Sequence, residues 1–286
     1  MPIVLDRVSF TYNANTPLET AALNEIDLQI TDGEFTGIIG QTGCGKSTLI
    51  QLIAGLLVPA QGSVYIDGEN INSKNYPIDK LRQRLSVIFQ FPEYQLFETT
   101  VEKDIAFSLK HSGLSAKEIR SRVRYTMEML GLSFDDIAGL SPMELSGGEK
   151  RKAAIAGALV TQPRILILDE PIAGLDPAGR GDFLNLLTKL NKTGVTIIMV
   201  SHNMDALGEC ARRILLMENG RLLMDAPPSE IFSDIEKLRK MRLDVCRPRK
   251  IANLLCERGL QFPKNIVRYG ELLDAIKKIA RNGAGS

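Results

Sequence analysis

One glycine-rich segment has the residue types needed to bind the phosphates of a nucleoside triphosphate. Gly40-Gln41-Thr42-Gly43-Cys44-Gly45-Lys46-Ser47, followed by Thr48, matches the pattern G-x-x-x-x-G-K-[ST]. The glycines let backbone N–H groups turn toward phosphate oxygens, at a helix start whose dipole favours negative charge. Lys46 places a positive charge at the β- and γ-phosphates, and the Ser47 hydroxyl can ligate Mg²⁺. The segment therefore predicts a nucleoside triphosphate site, with Cys44 as a spectator thiol.

Two carboxylates at the end of an apolar run could supply the chemistry of hydrolysis. Asp169 and Glu170 directly follow Ile165–Leu168. An Asp at the tip of a buried strand can hold Mg²⁺ beside a phosphate-binding loop, and the adjacent Glu can polarise an attacking water. Alone this pattern is weak, because many strands end in acidic turns. Together with the phosphate-binding loop it predicts phosphoryl transfer to water.

A third segment, Leu145-Ser146-Gly147-Gly148-Glu149, precedes a helical stretch rich in alanine and basic residues. Ser146 suits the N-cap position of that helix, so the segment can be read as a flexible loop and cap. It can equally be read as a second anion-binding helix start. From these residues alone both interpretations stay open.

The elements around these motifs indicate an α/β fold, because short β-branched runs alternate with helical stretches. The predicted strands are 3–12, 26–30, 34–39, 63–67, 85–89, 165–169, 195–200 and 213–217, the last followed by a hairpin turn at Glu218-Asn219-Gly220. The predicted helices are 46–57, 115–131, 149–161, 179–192 and 204–211, and after Pro227-Pro228 a further three, 229–243, 249–258 and 269–281. Between Gln90 and Leu145 the pattern is helical without a convincing strand. This block is predicted to be a helical insertion in the α/β core.

Composition sets limits on the class of protein. The 286 residues include 35 basic and 34 acidic side chains, a net charge of +1 that argues against a basic nucleic-acid-binding face. No apolar run approaches the roughly 18–20 residues of a membrane span, and the N-terminus lacks a signal-peptide pattern. The four cysteines form no C-x-x-C pair, as is typical of reduced thiols. We therefore expect a cytosolic chain, and we assign no function to the final Gly-Ala-Gly-Ser.

Six motifs follow one another along the chain: the phosphate-binding loop, Gln90, Leu145–Glu149, Leu168-Asp169-Glu170, Gly174-Leu175-Asp176-Pro177 and Ser201-His202. Their order resembles that of ATP-binding-cassette ATPases. The resemblance implies an α/β P-loop NTPase fold, with a RecA-like core, an antiparallel β-subdomain and a helical subdomain. The implied boundaries are 1–228 for the nucleotide-binding domain, with the helical subdomain at about 91–150, and 229–286 for a C-terminal helical extension. It also implies a head-to-tail dimer enclosing two ATP molecules with Mg²⁺.

The same resemblance implies roles for individual residues. Tyr12 stacks on adenine, Gln90 contacts Mg²⁺ and the attacking water, Asp169 completes the Mg²⁺ site with Ser47, Glu170 is the general base and His202 holds the γ-phosphate. Ser146, Gly147, Gly148 and Glu149 face ATP bound to the partner, and Asp176 lies at the dimer interface. Glu149 stands where the family usually has Gln. Tyr12 could instead be an ordinary strand aromatic, and His202 a structural histidine.

Two further segments, Phe89–Phe97 and Thr100–Phe107, narrow the resemblance. They are similar to segments of the ATPases of energy-coupling-factor importers, which take up vitamins and metal ions in prokaryotes. This resemblance implies peripheral attachment at the cytoplasmic face of the cell membrane, with three partners: a related or identical second cassette, a transmembrane scaffold protein and a substrate-binding membrane component. The apolar residues between Phe91 and Phe97 would be a docking surface or, alternatively, local core of the helical block.

Other cassette ATPases are the alternatives to an importer subunit of this type. One is the ATPase of another membrane transporter. A second is a DNA-repair or chromosome-maintenance ATPase, which the neutral charge disfavours and for which the stretch between Gln90 and Leu145 is too short to hold a long coiled coil. A translation-type factor with two cassettes is disfavoured by the single set of motifs. Because Glu170 is present, a binding switch without hydrolysis is disfavoured as well.

Overall fold

The computed structural model describes residues 3–110, 112–263 and 265–283. Outside it lie Met1, Pro2, His111, Lys264 and the last three residues of the Gly-Ala-Gly-Ser tail. The strands are β1 (Ile3–Tyr12), β2 (Thr20–Ile30), β3 (Phe35–Gly40), β4 (Gln61–Ile66), β5 (Glu69–Asn70), β6 (Leu85–Ile88), β7 (Ile165–Asp169), β8 (Thr196–Val200), β9 (Arg213–Glu218) and β10 (Arg221–Ala226). The helices are α1 (Lys46–Ile53), α2 (Ile78–Arg84), α3 (Val101–Ala106), α4 (Ala116–Met129), α5 (Phe134–Ile137), α6 (Gly147–Leu159), α7 (Pro177–Lys192), α8 (Met204–Cys210), α9 (Pro228–Ile231), α10 (Ile235–Lys240), α11 (Arg247–Glu257) and α12 (Tyr269–Gly283). Short 3₁₀ turns occur at 92–95, 107–109 and 142–144. The predicted α/β class is confirmed.

The described strands form two sheets. The central one has the order β10-β9-β3-β8-β7-β6, in which every pair is parallel except the β9–β10 hairpin. The other, of order β2-β1-β4-β5, is antiparallel. Parallel strands end at the same edge, and the register pairs Ile38 and Asp169 with Val200. The segments after β3, β7 and β8 therefore begin side by side.

The central sheet is buried on both faces. In β7, Ile167 packs with the apolar face of α1 and with the antiparallel sheet, whereas Leu166 and Leu168 pack toward α7 and α8. Such two-sided burial is why β7 is a continuous apolar run rather than an alternating one. Within the part of the chain that the structure describes, no helix is both long and apolar enough to cross a membrane.

The predicted helical block after Gln90 is confirmed in the described residues from 91 to 145, which contain α3, α4, α5 and no strand. These helices share a separate core with α6, formed by residues such as Val101, Ile105, Val123 and Met127. The block is therefore a small helical layer beside the central sheet.

Two predicted helices differ from those observed by more than two residues. The helix predicted over 46–57 ends at Ile53 because Gly55, at φ 68°, turns the chain into the left-handed conformation that stops helices. The single helix predicted over 229–243 is wrong. The chain forms α9 and then α10, because the side chain of Asp234 accepts a hydrogen bond from the backbone N–H of Lys237 and starts a new helix.

Candidate active site

The phosphate-binding loop connects β3 to α1 and is shaped by its glycines. A Cβ atom on Gly40 would lie 2.4 Å from the carbonyl oxygen of Met217. Gly45 has φ 102°, and a Cβ there would lie 2.5 Å from the carbonyl oxygen of Ala22. None of the described side chains caps α1, which starts after Gly45. The loop thus presents an open helix N-terminus, the arrangement that binds phosphate groups.

Lys46 is folded back into this loop. Its side chain is only 7 % exposed, and Nζ donates hydrogen bonds to the carbonyl oxygens of Gly40 and Gln41, both at 2.8 Å. Bonds from an ammonium to charged acceptors are stronger than those to neutral carbonyls. Phosphate oxygens can therefore take the place of these carbonyls as acceptors.

Asp169 lies at the end of β7, next to the loop. Its Oδ2 accepts a hydrogen bond from Ser47 Oγ at 3.2 Å. Burial raises the pKa of Asp169, while the hydrogen bond from Ser47 and the charge of Lys46 act in the opposite direction. A carboxylate and a hydroxyl that converge in this way are the oxygen ligands that Mg²⁺ prefers.

The carboxyl group of Glu170 belongs to the same site as Lys46 and Asp169. The residue has φ 49°, and its backbone N–H donates to the carbonyl oxygen of Val200 at 3.0 Å. The Oε1 atom is buried without a hydrogen-bond partner, 3.8 Å from His202 Nε2. Burial raises the pKa of Glu170 to about 7. A carboxyl group with that pKa can accept a proton near neutral pH.

His202 is the more exposed residue of the Glu170–His202 pair. Its side chain is 52 % exposed, at the mouth of the site. Burial and then the charge of Lys46 lower its pKa below 6.5, so the imidazole is mostly neutral at pH 7. The contact with Glu170 is therefore not a permanent ion pair and leaves the carboxylate available.

Tyr12 and Gln90 lie at the rim of the phosphate-binding site. The Tyr12 hydroxyl lies 3.1 Å from Thr48 Oγ1, and its ring packs edge-on against Phe10 at 4.8 Å while staying 38 % exposed. Gln90 is exposed and lies two residues beyond β6, which ends next to β7. Both positions are compatible with contact to a nucleotide bound by the loop.

The other predicted site residues lie apart from this cluster. Ser146, Gly147 and Gly148 are exposed at the start of α6, and Asp176 caps α7 by accepting from the N–H of Gly179 at 2.7 Å. Among the described residues, no hydrogen bond or ion pair joins them to the loop, Asp169 or Glu170.

The sequence did not reveal the part that Arg151 plays in this region. It is 5 % exposed in α6, and its guanidinium donates to the carbonyl oxygens of Pro171 and, at 2.8 Å, of Ala173. It also lies 4.0 Å from a carboxylate oxygen of Glu93. The helical layer is thereby tied to the segment directly after Glu170. In the sequence, Arg151 lies four residues before Ile155, which places both on one face of the helix. This spacing was the available sign that Arg151 is buried.

A second unforeseen contact joins the loop to the C-terminal region. The side-chain amide of Gln41 donates to the carbonyl oxygen of Met241 at 2.8 Å. The two residues are 200 positions apart, so no local pattern could predict the contact. Met241 itself belongs to the core on the α7 side of the central sheet.

Comparison with known proteins gives consistent matches. Residues 23–173 match a family model described as ABC transporter. The chain is 45 % identical over 282 residues to the energy-coupling factor transporter ATP-binding protein EcfA2 of Caldanaerobacter subterraneus subsp. tengcongensis, covering 98 % of each chain. It is 43 % identical over 286 residues to the protein of the same name from Symbiobacterium thermophilum, covering 100 % of this chain and 99 % of that one.

Solved structures are similar over most of the chain. The structure of cbiO1 from Clostridium perfringens, described as part of the ABC transporter complex cbiONQ, matches with a TM-score of 0.72 and 35 % identity, covering 88 % of this chain and 98 % of that one. The dimeric ATP-binding cassette MJ0796 in a post-hydrolysis state with ADP and Pi matches with a TM-score of 0.69 and 30 % identity, covering 79 % and 98 %.

Proposed function

The chain belongs to the ABC transporter family, and from that premise we propose that it is the ATP-hydrolysing subunit of an energy-coupling-factor importer. Its cargo would be a vitamin or a metal ion, the substrates that this kind of importer takes up. The observation that carries the proposal is the convergence of Lys46, Ser47, Asp169 and Glu170 at one edge of the central sheet. The matches to EcfA2 proteins over the full chain point to the same kind of importer.

In this proposal the loop binds the phosphates of ATP. Backbone N–H groups at the open start of α1 donate to phosphate oxygens, and Lys46 Nζ exchanges its two carbonyl partners for the β- and γ-phosphates. Tyr12 offers its exposed ring face to the adenine. His202, at the mouth of the site, is placed to contact the γ-phosphate.

Magnesium fits the oxygen donors that are already in contact. Ser47 Oγ and Asp169 Oδ2 would hold the ion, with Gln90 at the rim as a further oxygen ligand. When bound, Mg²⁺ would neutralise charge on the β- and γ-phosphates.

Glu170 would act as the general base. Its unpartnered Oε1 accepts a proton from the water that attacks the γ-phosphorus, while the bond from that phosphorus to the bridging oxygen of ADP breaks. A pKa of about 7 suits this transfer, since the carboxylate is then both substantially ionised and basic near neutral pH.

The exposed residues of α6 and α7 would complete the site of a second cassette. Ser146, Gly147 and Gly148 would face ATP bound to the partner, and Asp176 would lie at the interface. Their exposure, and the absence of contacts with this chain's own loop within the described residues, support that arrangement.

A membrane partner would dock beside Gln90. The docking segment, Phe91–Phe97, exposes 84 % of Tyr94 and 63 % of Phe97, although Leu96 is 7 % exposed and belongs to the helical core. It borders a groove of about 750 Å³ between β6 and the helical layer. Large exposed apolar side chains along a groove fit an amphipathic helix. We propose that helices of a transmembrane scaffold protein bind here, at the cytoplasmic face of the membrane.

The experiment uses two variants of the full chain. Glu170→Gln should bind ATP with unchanged affinity but lose turnover, by a factor of about 10²–10⁴. Lys46→Ala should weaken ATP binding itself by roughly 10–100-fold, because charge-assisted bonds to phosphate are lost. Lys150→Ala is the control, because among the described residues the Lys150 side chain makes no hydrogen bond or ion pair with the loop. Normal turnover of the Glu170 variant would refute its role as base. If no membrane proteins co-purify from the native source, the importer assignment fails.

A further inference from the structure

The start of α6 carries a negative charge where the proposed function requires an anion to bind. Ser146, Gly147 and Gly148 form what we call the signature surface. All three residues are exposed, and a Cβ atom on either glycine would meet nothing within 4 Å. The surface is therefore open to a second molecule. The next residue is Glu149, whose carboxylate bends back over the helix start.

The only hydroxyl proton of this surface is already donated to that carboxylate. Ser146 Oγ donates to Glu149 Oε2 at 2.6 Å, and the backbone N–H of Ser146 donates to the same oxygen at 2.9 Å. Oγ in turn accepts from the backbone N–H of Glu149 at 3.4 Å. A serine hydroxyl has one proton to give, so Ser146 can donate to a phosphate only by breaking a charge-assisted bond.

The carboxylate would also repel such a phosphate. An anion oxygen that accepts a hydrogen bond of about 2.7 Å from Ser146 Oγ would lie within about 5.5 Å of Glu149 Oε2. The hydrogen bonds from Ser146 and then the charge of Lys152 lower the pKa of Glu149, so the group is ionised at neutral pH. Lys152 offsets part of the field without removing the adjacent negative charge.

We propose that Glu149 opposes binding of ATP phosphates to the signature surface, so that ATP-driven closure over this surface is weaker than with a neutral residue at position 149. The inference rests on the proposed function, in which this surface meets ATP held by a second cassette. A glutamine would keep the cap, because its side-chain oxygen accepts the same bonds, but it would carry no charge.

The chain contains a matched control. Ser115 and Glu118 form the same cap at the start of α4, with Ser115 Oγ to Glu118 Oε2 at 2.6 Å and Ser115 N to Glu118 Oε2 at 2.8 Å. Glu118→Gln thus makes the same chemical change at a helix start that the proposed function does not use.

The test measures ATP-dependent dimerisation of the full chain in the hydrolysis-deficient Glu170→Gln background, by sedimentation velocity with Mg·ATP. Adding Glu149→Gln should lower the dimer Kd by roughly tenfold or more, since a like charge is removed from each of two equivalent surfaces. The gain should shrink at about 1 M salt, where the screening length is about 3 Å. Adding Glu118→Gln should change neither value.

An unchanged dimer Kd on adding Glu149→Gln, or an equal change with Glu118→Gln, would overturn the inference. So would a gain that high salt leaves intact, or the absence of an ATP-dependent dimer in every background. Binding of ATP to the single chain is measured separately by titration calorimetry. If the parent chain binds no ATP, the proposed function fails and this inference with it; if ATP binds and the dimer Kd does not respond, only the role of Glu149 is lost.

Discussion

Glu170 provides a test of the site that needs neither nucleotide nor partner. Its pKa is about 7 in the folded protein, against 4.5 for an unperturbed glutamate, chiefly because of burial. The folded state therefore holds this proton more tightly than the unfolded chain does. Stability that is fully present below pH 4.5 is lost as the pH rises to about 7, and the whole penalty remains above that value.

The size of the penalty follows from the two pKa values. Their difference corresponds to about 3 kcal/mol of unfolding free energy. Glu170→Gln removes the ionisable group, so at pH 8 the nucleotide-free variant should be more stable than the parent by up to that amount. At an unfolding entropy of about 2.1 cal/mol/K per residue, the Tm should rise by up to about 5 °C. At pH 5 the rise should be about 2 °C or less, since most of the penalty is then absent.

The assay is thermal unfolding at pH 5 and pH 8, in a chelating buffer without nucleotide, followed by circular dichroism. Glu118→Gln is again the control, and its expected change in Tm has the opposite sign. The hydrogen bonds from Ser115 lower the pKa of Glu118, so the stability that its carboxylate contributes is nearly complete at pH 5 and is lost only at lower pH. Its substitution should therefore reduce stability by nearly the same amount at pH 5 and at pH 8. A Tm change for Glu170→Gln that is equal at both pH values, or a loss of stability at pH 8, would show that the carboxyl group does not have the buried environment described.

Three further predictions concern contacts around the site. Arg151→Met should lower the free energy of unfolding in urea by about 3–5 kcal/mol, because backbone carbonyls after β7 lose a buried charged donor. Lys150→Met is the control and should change the free energy of unfolding little. Equal effects of the two substitutions would contradict a structural role of the Arg151 guanidinium. Asp104→Asn should lower the free energy of unfolding by about 1–3 kcal/mol, since Asp104 Oδ2 accepts from the backbone N–H groups of residues 97 and 98. Hydrogen exchange of those two amides should accelerate. Unchanged exchange would exclude a role of Asp104 in holding the docking segment. Gln41→Ala should lower the free energy of unfolding by about 1 kcal/mol and accelerate amide hydrogen exchange around Met241 but not in α4. Exchange identical to that of the parent would mean that the bond to the C-terminal region contributes negligibly.

The local features of the fold could be predicted because each depends on neighbouring residues. The run Ile165–Leu168 identified β7, and Asn219-Gly220 marked the hairpin, where both residues have positive φ. The glycines of the phosphate-binding loop indicated its position and its direction from strand to helix. Errors occurred at helix ends, where a single residue such as Gly55 or Asp234 decides between continuing and stopping.

The residues that act together at the site were identified from the order of motifs rather than from any measured contact. The sequence placed Ser47 and Asp169 in separate segments, and only the parallel pairing of β7 with β8, and of β8 with β3, puts their oxygens 3.2 Å apart. The sequence also left the residues between Phe91 and Phe97 as either docking surface or core. The structure divides them, with Leu96 inside and Tyr94 outside.

By itself, the sequence determined which chemical groups are present: a glycine-rich loop with Lys46, a strand that ends in two carboxylates, and a serine-capped helix start followed by Glu149. Only the tertiary structure decided the electrostatic state of the buried groups. The pKa of Glu170 reaches about 7 because packing around β7 removes water from the carboxyl group, whereas the carboxylate of Glu149 stays ionised through a local bond from Ser146, three residues before it. Residue types set which groups can carry charge, whereas burial decides whether a group such as Glu170 does, and that burial depends on segments far apart in the chain.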